Sequence, residues 1–420
     1  MSMIDLRIER MGAGGDGIAT GPDGAPVYVP FALPGELVRV TPGARGAARL
    51  EAVLVPSPDR VAPCCPHHGI CGNCLLQHWA DAPYAAWKTT RLADALAQAG
   101  FQVIPLPPIA RTPPRARRRA DFALARREGR VVAGFHPRGG GPAYDLTDCP
   151  VLDPRLVALL PGLRAVLRQV PALRREGAAM VNLLDSGPDL LVRAEAEPDQ
   201  AARNRLIGFA RAAGLSRIAW AAGRGRPEPV AVLRPPRITL AGVPVEPPPG
   251  AFLQASPQGE AGIVVATVAA LDDLKGGEVI DLFAGIGTLS FALARRFRVR
   301  AVEGDAPALA SLDRAARANG LGPRVRTECR DLARRPLMGG ELDRCAAVVL
   351  DPPYTGAAPQ VAAIAASRVR RVVYVSCNPA ALARDAGTLR KAGFRAVTAV
   401  PVDQFLWSPH LESVVSFVRD

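Results

Sequence analysis

Lysine is nearly absent from this 420-residue chain: Lys88, Lys275 and Lys391 are its only three. Basic side chains still outnumber acidic ones 52 to 39, so the +13 net charge is carried almost wholly by guanidinium groups. A guanidinium presents a planar fork to phosphates and stacks on flat rings, which favours a polyanionic partner. Coding bias toward GC accounts for the arginine-to-lysine ratio and the abundant alanine and proline, but not for the excess of base over acid. Aromatics are scarce as well, at 5%. Although 49% of the chain is hydrophobic, no apolar run approaches the ~20 residues needed to cross a bilayer. The first ten residues mix Asp5, Arg7, Glu9 and Arg10 with apolar neighbours and form no signal-peptide core. The expectation is a soluble, cytoplasmic, monomeric protein without a membrane partner, long enough for two or three domains.

Of the eight cysteines, Cys64, Cys65, Cys71 and Cys74 fall within eleven residues, while Cys149, Cys329, Cys345 and Cys377 are dispersed. Without a secretory signal, such crowding points to metal rather than to disulfides. Cys65-x5-Cys71-x2-Cys74 together with the remote Cys149 makes four thiols, a set that suits either an iron–sulfur cluster or zinc. The spacing is not the Cys-x3-Cys-x2-Cys of radical enzymes. Cys64 reads as a spare neighbour, and His67 and His68 as loop residues.

Three regions are expected. Residues 1–58 contain short β segments (Ile4–Ile8, Pro26–Pro30, Glu36–Val40, Leu50–Val55) separated by glycine turns, the pattern of a small barrel. Residues 59–245 read as a mixed α/β central domain, with a helix from Asp81 to about Ala99 and a basic tract from Arg111 to Arg119. That tract is either a solvated loop or a phosphate contact. In residues 246–420 apolar strands alternate regularly with helical stretches (Val279–Phe283, Val299–Glu303, Ala346–Leu350, Val372–Val375), as in a doubly wound parallel sheet. The pattern Met11-Gly-Ala-Gly-Gly-Asp-Gly17, followed by Tyr28-Val-Pro-Phe31, resembles a TRAM domain, an RNA-binding barrel.

Two strand ends in the last region carry ligand-binding signals. The strand through Asp281 runs into Phe283-Ala-Gly285-Ile-Gly287-Thr288, and Glu303 follows about twenty residues later. Ser290 stands where a dinucleotide fold needs a third glycine, and Asp281 at the strand tip would repel a pyrophosphate. A ligand with a cationic amino-acid end suits Asp281, with Glu303 accepting from ribose hydroxyls. This resembles the signature of class I S-adenosylmethionine methyltransferases, a Rossmann-like fold. Asp351-Pro-Pro-Tyr354 closes the next core strand and is similar to amino-group methyltransferases, whose aromatic stacks on the target base.

Cys377 separates these two readings. It follows the apolar run Arg371–Val375 and precedes Asn378-Pro379, and proline disfavours helix at the preceding residue, so the thiol sits at a strand's carboxyl end. Amino-group transfer needs no covalent nucleophile, whereas carbon-5 of uracil is too electron-poor to take a methyl group until a thiolate adds at carbon-6. A base must then remove the carbon-5 proton. Glu412, just before the final strand, is the candidate, and His410 its local alternative. RNA cytosine-5 enzymes place a cysteine where this chain has Pro352-Pro353.

The whole chain resembles the RNA 5-methyluridine methyltransferases, most of all those that act on 23S rRNA and carry an N-terminal TRAM domain. Phe252-Leu-Gln254, Asp281 to Gly287, Asp351-Pro-Pro, Ser376-Cys377-Asn-Pro and His410-Leu-Glu412 carry the resemblance. It implies a methyl-donor site at Gln254, Asp281, Phe283, Gly285, Gly287, Thr288, Glu303, Asp331 and Asp351, with Cys377 as nucleophile and Glu412 as proton acceptor. It also implies a [4Fe-4S] cluster, rather than zinc, on Cys65, Cys71, Cys74 and Cys149, and an rRNA rather than tRNA substrate. Ser256, Thr288, Asp331 and Tyr354 depart from the usual family residues, which bears on RNA specificity. A non-catalytic RNA-binding iron–sulfur protein is the third reading.

Overall fold

The computed structural model describes residues 2–102 and 104–420. Two small three-stranded sheets form its N-terminal part. One pairs Ile4–Arg7 and Ala48–Val55 with Leu37–Pro42, and the other pairs Arg10–Met11 and Pro26–Pro30 with Asp16–Thr20. Leu6, Ile8, Val29, Val38 and Val40 close a core between them. The four strands expected from alternation are present. The strand Asp16–Thr20 was hidden by the glycines read as a turn, because its Gly17 packs against the Ala32 carbonyl where a side chain would collide.

The helix Asp81–Gln98 turns Tyr84, Lys88, Leu92, Ala95 and Leu96 inward, the spacing of one helical face, and stops at Gly100 with φ +84°. A seven-stranded mixed sheet follows in the order Tyr144–Asp145, Arg130–Phe135, Arg119–Arg127, Glu176–Leu184, Gly187–Ala194, Arg217–Ala222 and Glu228–Val232.

The C-terminal sheet has eight strands. In order they are Val325–Cys329, Arg298–Glu303, Glu278–Leu282, Ala347–Leu350, Arg371–Ser376, Glu412–Val418, Arg395–Asp403 and Ala110–Arg111. The first five are parallel, as the alternation of strands and helices implies. The last part of the chain departs from a purely parallel sheet: Glu412–Val418 inserts antiparallel between Arg371–Ser376 and Arg395–Asp403. The two-residue strand Ala110–Arg111, far earlier in the chain, extends the edge beside Val402 and Asp403. Strand order reverses between Glu278–Leu282 and Ala347–Leu350, and a crevice opens there at the carboxyl ends of the strands. Among the described residues no helix is long and apolar enough to cross a membrane.

Candidate active site

A cavity of about 560 Å³ occupies that crevice. Its floor is the turn after Glu278–Leu282. Phe283 holds φ +63°, a costly conformation for a bulky side chain and one found where neighbouring structure over-determines the backbone. Gly285 faces open space, whereas a side chain at Gly287 (φ +103°) would strike the Phe291 ring. Glu303, on the neighbouring strand, accepts from the Gly285 N–H at 2.9 Å and from the Asp305 N–H at 2.7 Å, fixing the turn while still lining the cavity.

Five acids line the cavity, Asp281, Glu303, Asp305, Asp351 and Glu412, and burial acts most strongly on three of them. Asp281 is buried; its Oδ2 accepts from Ser290, and its Oδ1 has no partner. Burial pushes Asp281 up to about 7, helped by Asp351 and Glu303 and opposed by the Ser290 hydroxyl. Burial also pushes Asp351 up to about 7, against a hydrogen bond from Gln254. Glu412, 3% exposed, stands well above the carboxylate range because of burial and the nearby Asp351, and its Oε1 is unpartnered. Acids stacked in so little water are costly until a cation enters. The site therefore fits S-adenosylmethionine, which carries a sulfonium and an ammonium.

Cys377 enters at the end of Arg371–Ser376. Ser376 pairs with Ser413 on the antiparallel neighbour, and Cys377 and Glu412 each lie one residue beyond that pair at the same end of the ladder. Both line the cavity. Burial, Glu412 and Asp351 push the thiol up to about 12. Asn378 caps the following helix through the Ala380 N–H, and its side chain donates to the Tyr354 carbonyl at 3.0 Å. At the rim, Arg119 lies 4.7 Å from the exposed Phe252 ring, and Tyr354 meets His410 edge-on at 5.9 Å.

Gln254, Asp281, Phe283, Gly285, Thr288, Glu303, Asp351, Cys377 and Glu412 thus come together in one cavity. Gly287 shapes the turn from behind. Asp331 is not among the lining residues; its carboxylate caps the Ala333 N–H at 3.0 Å beyond the crevice. Ser256, one of the departures, caps a helix through the Gly259 N–H and bonds Thr112 at 2.6 Å.

The basic tract is not a solvated loop. Arg111 pairs with Asp81, Arg115 with Asp148, and the buried Arg118 with Glu260 at 2.6 Å. Arg117 and Arg119 line the cavity instead. Sequence reasoning missed these two, and also Gln404 and Phe405. The stretch before the final strand shows in sequence only the carboxylate of Glu412 and the imidazole of His410.

Cys65, Cys71, Cys74 and Cys149 line a second cavity of about 410 Å³, which Cys64 does not reach. Burial and the neighbouring Cys149, Cys71 and Cys65 push the Cys74 thiol up. Among the described residues no group of three or more Cys, His, Asp or Glu side chains forms a ready-made metal site. Four thiols from two chain segments around one space remain a donor set that fits thiolate ligation. Arg117 and Phe405 line both cavities.

The family model described as tRNA (Uracil-5-)-methyltransferase matches residues 324–420, which include Asp351, Cys377 and Glu412. An RNA methyltransferase of Caulobacter vibrioides is 42% identical over 99% of this chain and 100% of its own length. The 23S rRNA (uracil(1939)-C(5))-methyltransferase RlmD of Aeromonas salmonicida is 33% identical over 94% and 92%. In fold, the chain is similar to the Pyrococcus abyssi tRNA (uracil-54, C5)-methyltransferase crystallised with S-adenosyl-L-homocysteine. The TM-score is 0.74 at 20% identity, with 99% of each chain covered. With full-length relatives at this identity, the chain belongs to the RNA uracil-5-methyltransferase family, whose members are S-adenosylmethionine-dependent enzymes.

Proposed function

We propose that the protein methylates carbon-5 of a uridine in RNA through a covalent bond from Cys377 to carbon-6, with Glu412 removing the carbon-5 proton. The observation that carries this reading is a thiol and a buried, half-partnered carboxylate lining the one cavity built by the glycine turn. S-adenosylmethionine supplies an electrophilic methyl group. Gln254, Asp281, Phe283, Gly285, Thr288, Glu303 and Asp351 would hold it, with Gly287 setting the turn.

Burial, with Glu412 and Asp351 adding to it, keeps the Cys377 thiol protonated, so a cation beside these acids favours its ionisation. The thiolate adds at carbon-6, and the displaced electron pair makes carbon-5 nucleophilic toward the methyl group. Glu412 then takes the carbon-5 proton. The electrons of that bond restore the ring double bond, and the carbon–sulfur bond breaks to return the thiolate.

Ribosomal RNA is favoured as substrate because the relative named for 23S rRNA is 33% identical, against 20% for the one named for tRNA. Residues 1–58 are assigned as a TRAM-like barrel that adds RNA contacts, residues 59–245 as a central domain, and residues 246–420 as the methyltransferase domain of a monomer. The four cysteines are assigned to a [4Fe-4S] cluster, with zinc as the alternative, in a structural or RNA-orienting role. Nucleoside maps of rRNA and tRNA from cells with and without the gene test the substrate. Loss of 5-methyluridine from tRNA alone overturns the ribosomal assignment. Metal analysis of anaerobically purified protein should find iron and sulfide; zinc alone overturns the cluster.

A further inference from the structure

A chain of amide groups joins two of the acids in the active-site cavity. Gln404 Oε1 accepts from the Ala255 backbone N–H at 2.9 Å. Its Nε2 donates to Gln254 Oε1 and to Glu412 Oε2, both at 2.7 Å. Gln254 Nε2 donates onward to Asp351 Oδ2 at 2.9 Å. A backbone N–H can only donate, so Gln404 must turn its carbonyl to Ala255 and its amino group to the other two. Gln254 must then present oxygen to Gln404 and nitrogen to Asp351. One fixed donor sets the direction of the whole chain, and flipping either amide would bring like groups together.

Gln404 itself is held firmly. Only 2% of its surface is exposed, and the preceding Asp403 is clamped by buried Lys88 and by Tyr84. Its donor group occupies one oxygen of Glu412, whose other oxygen, Oε1, is buried and without a partner.

We infer that Gln404 is a positioning residue for proton removal: it ties down Glu412 Oε2 and leaves Oε1 as the single oxygen aimed at the substrate. This inference rests on the covalent mechanism proposed above. In the step concerned, the C5–H bond breaks and the proton goes to Oε1. The electron pair forms the ring double bond, and the C6–S pair returns to Cys377 Sγ.

An N–H directed at a carboxylate favours its charged form. Burial and Asp351 oppose that charge, and the Gln404 hydrogen bond counteracts them. The other charged and titratable groups around the cavity are Cys377 just past the paired strand, Asp281, Glu303 and Asp305 from the methyl-donor wall, Tyr354 at the rim, and Arg117 and Arg119 at the start of the central sheet. His410 lies two residues ahead in the chain. Without the Gln404 donor, Glu412 holds its proton to higher pH, and the base is lost over the window just above its present pKa.

The test uses full-length Gln404→Met and Gln404→Glu proteins on two forms of in vitro transcribed 23S rRNA, one with uridine and one with 5-fluorouridine. Fluorine at carbon-5 leaves no proton to remove, so that RNA reports only addition and methyl transfer, as a trapped covalent complex. Gln404→Met removes both donors, whereas Gln404→Glu keeps the side-chain shape and the acceptor for Ala255 but sets a second carboxyl group against Glu412 Oε2, and S-adenosylhomocysteine titration verifies that the cofactor site is intact. We expect trapping within about threefold of the parent in both variants. Turnover on the uridine RNA should fall about tenfold or more, with its rising limb displaced to higher pH. Trapping and turnover falling together, or an unmoved pH limb, overturns the inference while leaving the covalent reading in place. No trapped complex in the parent protein overturns the covalent reading, and the inference with it.

Discussion

Cys377 and Glu412 lie one residue beyond the Ser376–Ser413 pair, at the same end of an antiparallel ladder, and both line the active-site cavity. That geometry suits a nucleophile that must be released by removing the proton from the adjacent carbon.

Replacing either residue should therefore stop turnover at different stages. Cys377→Ala should form neither 5-methyluridine nor a denaturation-resistant complex with RNA. Glu412→Gln should form the complex and accumulate it, with turnover lowered by about 10²–10⁴-fold, the usual contribution of a general base. Gel electrophoresis of protein with labelled RNA distinguishes the two. Product from Cys377→Ala would end the covalent mechanism.

The same pair has a consequence for the free enzyme. Burial raises the Cys377 thiol to about 12, and Glu412 is the first of the two carboxylates that add to the effect. A nearby negative charge repels the thiolate, so removing it makes the thiol more acidic. Glu412→Gln should thus increase the rate at which iodoacetamide labels the Cys377 peptide at pH 8, read by mass spectrometry against Cys329. Slower labelling would show that the carboxylate is not what restrains the thiol.

Much of this site was legible because its signals are local. The glycine turn from Asp281 to Thr288 and the thiol before Asn378-Pro379 each place their chemistry within a few residues of a strand end. What escaped is long-range. Gln404 gains its meaning from Gln254 and Ala255, about 150 residues away, and Lys88 meets Asp403 across 315 positions. The tract Arg111–Arg119 stayed open between a solvated loop and a phosphate contact, because sequence spacing cannot show that Asp81, Asp148 and Glu260 come to meet it. The reversed final strand was equally hidden, since alternation gives an element's existence but not its direction.

Lys88 and Asp403 are both fully buried and paired at 2.5 Å, and Lys88 also donates to the Phe405 carbonyl. Lys88→Met leaves a buried carboxylate unpaired, at a cost of about 3–5 kcal/mol. The unfolding transition should move accordingly. The parent also has a pH signature. Burial lowers Lys88 from 10.5 to about 8, so between these values the unfolded chain binds more protons than the folded one. Its stability should rise with pH across that window, and Lys88→Met should lack the rise. Thermal melts from pH 7.5 to 10.5 test this; parallel curves for parent and variant would refute it.

The two glycines of the turn make opposite demands, and alanine at each separates ligand contact from fold. Gly285 has φ +55°, and a side chain there would meet nothing within 4 Å in the protein. Gly285→Ala should cost about 1–2 kcal/mol for the left-handed backbone and otherwise spare the fold. Its methyl group projects into the cavity where a ligand would lie, so S-adenosylhomocysteine affinity should fall at least tenfold by calorimetry. Gly287 has φ +103°, and its added carbon would sit 2.5 Å from the buried Phe291 ring. Gly287→Ala should therefore destabilise the domain more than Gly285→Ala does. Equal ligand affinity in parent and Gly285→Ala would mean that the methyl donor does not lie against this turn.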